Sequence, residues 1–363
     1  MYGSRVLAIL VLAVVSLAGV ELALRIAAPV ERCDQSTRLV FEQHTAGLAV
    51  EVVYQRNTLG LRTAGGREID ASAAQKRILC LGASTTDQAM QSWPDTWCGT
   101  LETLLNSAGI PVQAASFGRG GMNASDAADA LERLLPLVRP DLVVTLLGVN
   151  DLTWRRATPS ERIGATIDCP PPVTLVERCA RGSQICRRLD AARASPPATA
   201  PARELEWHEA NLPDIRRRFR ELPPADAPAP APESRANLAA SVRRLATLIR
   251  TIGARLLVLG QPVLWKEGMT EEESARLWFP VQAGPTSFVR APPAWLANEM
   301  RDYNRVQEDA ARSNGAPYVE LDDVVPKDLG SYFDDCHLTD RGSANVARAA
   351  FEPARALLRS PDA

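Results

Sequence analysis

Four short segments of the 363-residue chain carry side chains that can do chemistry together: Gly82-Ala83-Ser84-Thr85-Thr86, Gly118-Arg119-Gly120-Gly121, Gly148-Val149-Asn150-Asp151 and Asp334-Asp335-Cys336-His337. They supply a hydroxyl, a glycine turn, a carboxamide and a carboxylate–imidazole pair. Nucleophilic acyl transfer needs this set: a nucleophile, a base that titrates near neutrality, a carboxylate to orient the base, and donors for a developing oxyanion. The chain has 3 histidines. His44 falls in a lead-in and His208 in a proline- and arginine-rich stretch, so His337 is the histidine placed to act as base. The three-residue offset favours Asp334 over Asp335 as its partner.

Chemistry at such scattered positions needs elements that bring them to one edge. From about Lys76 onward, short apolar runs alternate with amphipathic stretches. The runs are Arg77–Leu81, Val112–Phe117, Leu142–Leu147, Leu256–Gly260 and Tyr318–Leu321. Three of them are nearly continuous in apolar residues, as parallel strands covered on both faces must be. Helical spacing marks Thr96–Ser107, Ser125–Val138 with Ser125 as cap, Ser234–Ile252, Ala294–Ser313 and Asp340–Leu358. The expected fold is therefore α/β: a doubly wound, flavodoxin-like sheet of about five parallel strands in a three-layer α/β/α sandwich, with two insertions. Ligands of such sheets bind beyond the carboxyl ends of the strands, and all four segments lie there or just before the last helix.

With those residues in place, the sequence resembles the SGNH hydrolases, also called the GDSL family. Its blocks match in order as LGAST, SFGRGG, GVND and D-x-x-H, over about residues 77–358. Ala83 stands where the family has the Asp of GDSL, a residue with no chemical part in the family's scheme. The resemblance implies Ser84 as nucleophile, His337 as base and Asp334 as its orienting carboxylate. It also implies an oxyanion hole made by the backbone N–H groups of Ser84 and Gly121 and the side chain of Asn150, with Gly120 a close rival to Gly121. Members with an N-terminal anchor and an asparagine-containing lead-in, here Arg56-Asn57-Thr58-Leu59-Gly60, look similar.

The N-terminus bears on location. Arg5 precedes an apolar run from Val6 to Val20 that Leu22–Leu24 extend past Glu21. An uncleaved signal anchor is the favoured reading and a cleaved signal the alternative. Either places the rest of the chain outside the cytoplasm. Given the Ala-, Arg- and Pro-rich usage of a bacterial protein, that means the periplasm, tethered by a single pass to the inner membrane. The expected organisation is 1–30 signal anchor or signal peptide, 31–75 extracytoplasmic lead-in of open role, and 76–358 hydrolase domain, with insertions at about 155–233 and 263–293. The first insertion ends in a polyproline-like stretch from Pro223. In the second, Trp265, Trp278 and Phe279 either wall an acyl or sugar pocket or simply pack the insertion.

The formal net charge of −2 gives no electrostatic footprint for nucleic acid. The cluster Arg216, Arg217, Arg218 and Arg220 reads as a solvated helix face. Of 7 cysteines none forms a C-x-x-C pair, so no metal site is expected, and no cofactor is implied. Two of Cys169, Cys179 and Cys186 can pair in an oxidising compartment, whereas Cys80 reads as a small buried hydrophobe. The expected activity is hydrolysis of a short-chain ester, acetyl foremost, on a small molecule or an acylated glycan. Transfer of the acyl group to an envelope or exported polysaccharide shares its first half, and a non-catalytic glycan-binding module is the reading from another class.

Overall fold

The computed structural model describes residues 36–69, 75–154, 212–229, 231–284 and 286–359. The N-terminal apolar run, Cys33, Cys169, Cys179, Cys186, His208 and most of the first insertion lie outside these residues. Among the described residues no helix is long and apolar enough to cross a membrane.

The five apolar runs form parallel strands: β4 (Lys76–Gly82), β5 (Val112–Gly118), β6 (Leu142–Leu146), β7 (Arg255–Leu259) and β10 (Tyr318–Val319). Their order is β5-β4-β6-β7-β10, the doubly wound arrangement expected from the alternation. β6 is buried at all 5 positions, because helices cover both faces and leave no solvated side to require polar alternation. On one face α3 (Ala124–Val138) packs on α6 (Pro232–Arg250), and α6 on α8 (Pro293–Arg312); elsewhere α2 (Trp97–Ser107) packs on α9 (Asp340–Arg359). The cap of α3 is Asn123 rather than Ser125. The Asn123 side chain accepts from Asp126 N, and Asp126 reaches back to Asn123 N, a reciprocal arrangement that satisfies two orphan donors.

The lead-in adds three strands to the same sheet. β1 (Thr37–Glu42), β2 (Glu51–Arg56) and β3 (Arg62–Thr63) run antiparallel along the β5 edge, with Arg62 opposite Ser116. Asn57 organises the turn between β2 and β3: its side chain accepts from Leu59 N and Leu61 N, each at 3.0 Å. On β2 the inward positions are Val52, Tyr54 and Arg56, and the last two carry a buried network described below.

Cys80 is not an isolated hydrophobe: it forms a disulfide with Cys98. Periodicity put Cys80 on a strand and Cys98 on a helix, and only the packing of α2 on the sheet brings them together. In the second insertion a short helix, α7 (Glu271–Ala275), precedes a hairpin of β8 (Val281–Gln282) and β9 (Phe288–Val289). The proline-rich stretch is pinned to this region, since Arg290 N donates to Pro223 O and Ala225 N to Arg290 O.

Candidate active site

Register decides which loops meet. Gly82 stands opposite Gly118 on one side and Leu146 on the other, so β4, β5 and β6 end level and their following turns share one rim. Ser84 opens a one-turn helix, α1 (Ser84–Asp87), immediately after β4. This turn sits so close to β5 that a Cβ built on Gly118 would lie 2.3 Å from Asp87 N and 2.5 Å from Ala83 O. A glycine there is a steric necessity.

The loop before α9 brings Asp334 and His337 to the same rim. His337 Nε2 lies 2.8 Å from Ser84 Oγ, and His337 Nδ1 lies 2.8 and 2.9 Å from the two Asp334 oxygens. An ionised carboxylate only accepts, so Nδ1 carries the proton and Nε2 is left as acceptor for the serine hydroxyl. Asp334 also accepts from Cys336 N at 3.1 Å, His337 N at 2.9 Å and Trp278 Nε1 at 2.9 Å. Burial opposes its ionisation, but the imidazole and these donors win and draw the carboxyl down to about 2. Burial likewise pushes the His337 imidazole down, and the Asp334 charge and hydrogen bond outweigh it, leaving its pKa raised. The neighbouring Asp335 is no alternative partner. Its oxygens face Trp265 Nε1, Trp278 N and Phe279 N.

The predicted oxyanion donors are placed less completely. Gly121 adopts φ +73°, the left-handed region that favours glycine. Asn150 is buried in α4 (Val149–Thr153), where its Nδ2 donates to Met122 O at 2.9 Å, joining the second and third segments. Arg119, Gly120, Trp278, Phe333 and His337 are among the residues that line the open cleft at Ser84. Asp151 supports the scaffold, accepting Ala124 N at the start of α3.

Two groups of contacts at the site escaped the sequence reading. The first comes from the lead-in. Tyr54 Oη donates to Asp87 at 3.1 Å, Arg56 Nη2 donates to the same carboxylate at 3.1 Å, and Arg62 donates to the carbonyls of Asp87, Gln88 and Gln91. The turn bearing the serine is thus held from below by β2 and β3. Burial works against the Asp87 charge, and Arg56, Arg62 and Arg119 overcome it, so its pKa is lowered. The period-two burial of Val52, Tyr54 and Arg56 was the available signal, since an arginine at an inward strand position needs a buried partner. In the second group Trp278 was already a candidate pocket wall, and what periodicity cannot reveal is its bond to Asp334 and its support by Asp335. Trp265 and Phe279 are packing residues, 0% and 5% exposed, and Trp278 alone of the three lines the cleft. Arg216 departs from the solvated face of α5 (residues 212–221): it is half-buried and donates to Arg276 O and Phe333 O.

A mostly parallel α/β sheet with a serine, an imidazole and a carboxylate in hydrogen-bonded sequence at the carboxyl edge of its parallel strands has the architecture of a serine hydrolase. The chain belongs to the GDSL-like lipase/acylhydrolase family, whose pattern matches residues 80–344, and it is a carboxylic ester hydrolase. No curated protein sequence matches it. Among solved structures it is similar to an acetyl xylan esterase, AlAXEase, at 12% identity and a TM-score of 0.43, over 76% of this chain and 98% of that one. It is also similar to a carbohydrate acetylesterase family member from Sinorhizobium meliloti, at 15% identity and a TM-score of 0.44, over 78% and 99% of the two chains. A third is Axe2, an acetylxylan esterase from Geobacillus stearothermophilus, at 13% identity and a TM-score of 0.41, over 81% and 98%.

Proposed function

We propose that the protein is an extracytoplasmic serine esterase that removes a short acyl group, acetyl foremost, from a small molecule or an acylated glycan. The observation that carries this reading is the 2.8 Å contact between His337 Nε2 and Ser84 Oγ, continued through Nδ1 to Asp334. In the proposed cycle Ser84 Oγ attacks the ester carbonyl carbon as its proton passes to His337 Nε2. The oxyanion is stabilised by the backbone N–H groups of Ser84 and Gly121 and the Asn150 amide. The intermediate collapses when the leaving alkoxide takes the proton from His337. Water, deprotonated by the same imidazole, then attacks the acyl-serine, and its proton returns to Ser84 as the acid leaves.

The apolar N-terminal run and the Cys80–Cys98 disulfide support placement outside the cytoplasm, in the periplasm and tethered to the inner membrane, since disulfides persist in oxidising compartments. The test uses the protein from Ser36 onward with p-nitrophenyl acetate and acetylated glycans. Release of p-nitrophenol and acetate is expected, and Ser84→Ala is expected to abolish it. A wild type that releases neither product from any of these esters sinks the proposal.

A further inference from the structure

Asp335 takes no part in the chain from serine to imidazole to Asp334, yet it is fully buried beside it. Its side chain accepts from Trp265 Nε1 at 2.7 Å, Trp278 N at 2.7 Å and Phe279 N at 3.3 Å, and its carbonyl accepts from Leu264 N at 2.9 Å. One residue thus ties two stretches of the second insertion, 264–265 and 278–279, to the loop that carries Asp334 and His337. The consequence appears at Trp278. Its indole N–H reaches Asp334 Oδ2 at 2.9 Å, and its ring lies parallel to His337, with planes 9° apart and centroids 6.1 Å apart.

We propose that Asp335 is a positioning residue of the esterase: by accepting Trp278 N and Trp265 Nε1 it clamps the insertion so that the Trp278 indole N–H caps Asp334. This rests on the reading of Ser84, His337 and Asp334 as the catalytic set. Both Asp335 oxygens face N–H donors, so the residue holds the Trp278 backbone and the Trp265 indole at once. Burial and the adjacent Asp334 push its carboxyl up to about 7, so around neutrality it is no fixed negative charge beside His337 and acts through Trp278. The other titratable groups facing the pair are Arg216, from α5, whose charge favours both carboxylates, and the Cys336 thiol, which burial and both aspartates keep neutral.

Two variants separate the clamp from what it holds. Asp335→Asn places an amide among N–H donors and loosens Trp278, so its loss of kcat is expected to vanish when Trp278 is already Phe. Trp278→Phe keeps an aromatic ring but removes the N–H that stabilises Asp334. The less compensated carboxylate then holds the imidazolium more strongly, and the acid limb of kcat/KM is expected to move to higher pH. Both variants are expected to lower kcat by about tenfold, with KM changed far less. A Trp278→Phe limb at higher pH, with a double variant no slower than Trp278→Phe alone, supports the proposal. Should Asp335→Asn fail to fold, the Trp278→Phe profile decides alone. Losses that multiply in the double variant, or a folded Trp278→Phe enzyme whose acid limb coincides with that of an active wild type, overturn the proposal. Ester hydrolysis by the wild type, and labelling of Ser84 by a fluorophosphonate, are measured alongside, so that loss of the underlying esterase reading is recognised separately.

Discussion

Replacing Asp334 by Asn is the sharpest perturbation of the site, because the structure shows how little room an amide has. The two carboxylate oxygens receive Cys336 N, His337 N, Trp278 Nε1 and His337 Nδ1, at 2.8 to 3.1 Å. An amide nitrogen at the Oδ1 position would point its hydrogens at two backbone N–H groups. At the Oδ2 position it would face the Trp278 indole and the imidazole. That second orientation relaxes only if the His337 proton moves from Nδ1 to Nε2, where it becomes a donor to Ser84 and can no longer take the serine proton. A triad held in the wrong tautomer loses about four orders of magnitude in kcat, which corresponds to about 5.4 kcal/mol. Either orientation also leaves a buried donor unmatched, costing about 1–3 kcal/mol of stability. The assay is p-nitrophenyl acetate hydrolysis by the protein from Ser36 onward, with a urea midpoint on the same sample. Ser84→Ala combined with Asp334→Asn should be no slower than Ser84→Ala alone, since the two act as a unit. A folded Asp334→Asn enzyme within tenfold of wild-type kcat would refute the assignment.

Further outcomes follow from the same structure. His337 must be neutral to accept the serine proton and its pKa is raised above 6.5, so kcat/KM should fall as pH drops through a value above 6.5; a limb centred below that contradicts the Asp334–His337 coupling. Gly118→Ala puts a methyl 2.3 Å from Asp87 N; the displaced serine turn should cost at least about tenfold in kcat and about 1–3 kcal/mol in stability, read by kinetics and urea unfolding. Opening the Cys80–Cys98 disulfide, by reductant or as the double serine variant, should lower stability by about 2–4 kcal/mol, and an unchanged unfolding midpoint would count against the bridge. Removing residues before Lys76 strips β1–β3 from the β5 edge and takes Tyr54, Arg56 and Arg62 from beneath the serine turn. The shortened protein should aggregate or lose esterase activity, whereas the protein from Ser36 onward should stay monodisperse by size-exclusion chromatography.

The parallel sheet was legible from the chain because continuous apolar runs separated by amphipathic stretches satisfy burial in few other ways. The positions of Ser84, Asn150, Asp334 and His337 followed, since turns after parallel strands share one edge. Helix ends were read to within a residue or two, and the cap of α3 was misplaced because Asn123 and Ser125 are both competent caps. The choice between Asp334 and Asp335 rested on spacing alone. Both are buried acids one peptide apart, and only the direction of each side chain gives one the imidazole and the other the indole of Trp265.

Sequence by itself determined what is local or periodic: strand and helix order, the edge where chemistry collects, and the residue types available there. Tertiary structure decided every pairing between distant segments. It bonded Cys80 to Cys98, brought Tyr54, Arg56 and Arg62 beneath the serine turn, and set the indole of Trp278 on Asp334. The physical reason is that a hydrogen bond or disulfide depends on positions to within a few tenths of an ångström. Those positions are fixed by how whole helices and sheets pack, and no periodicity in the chain encodes that.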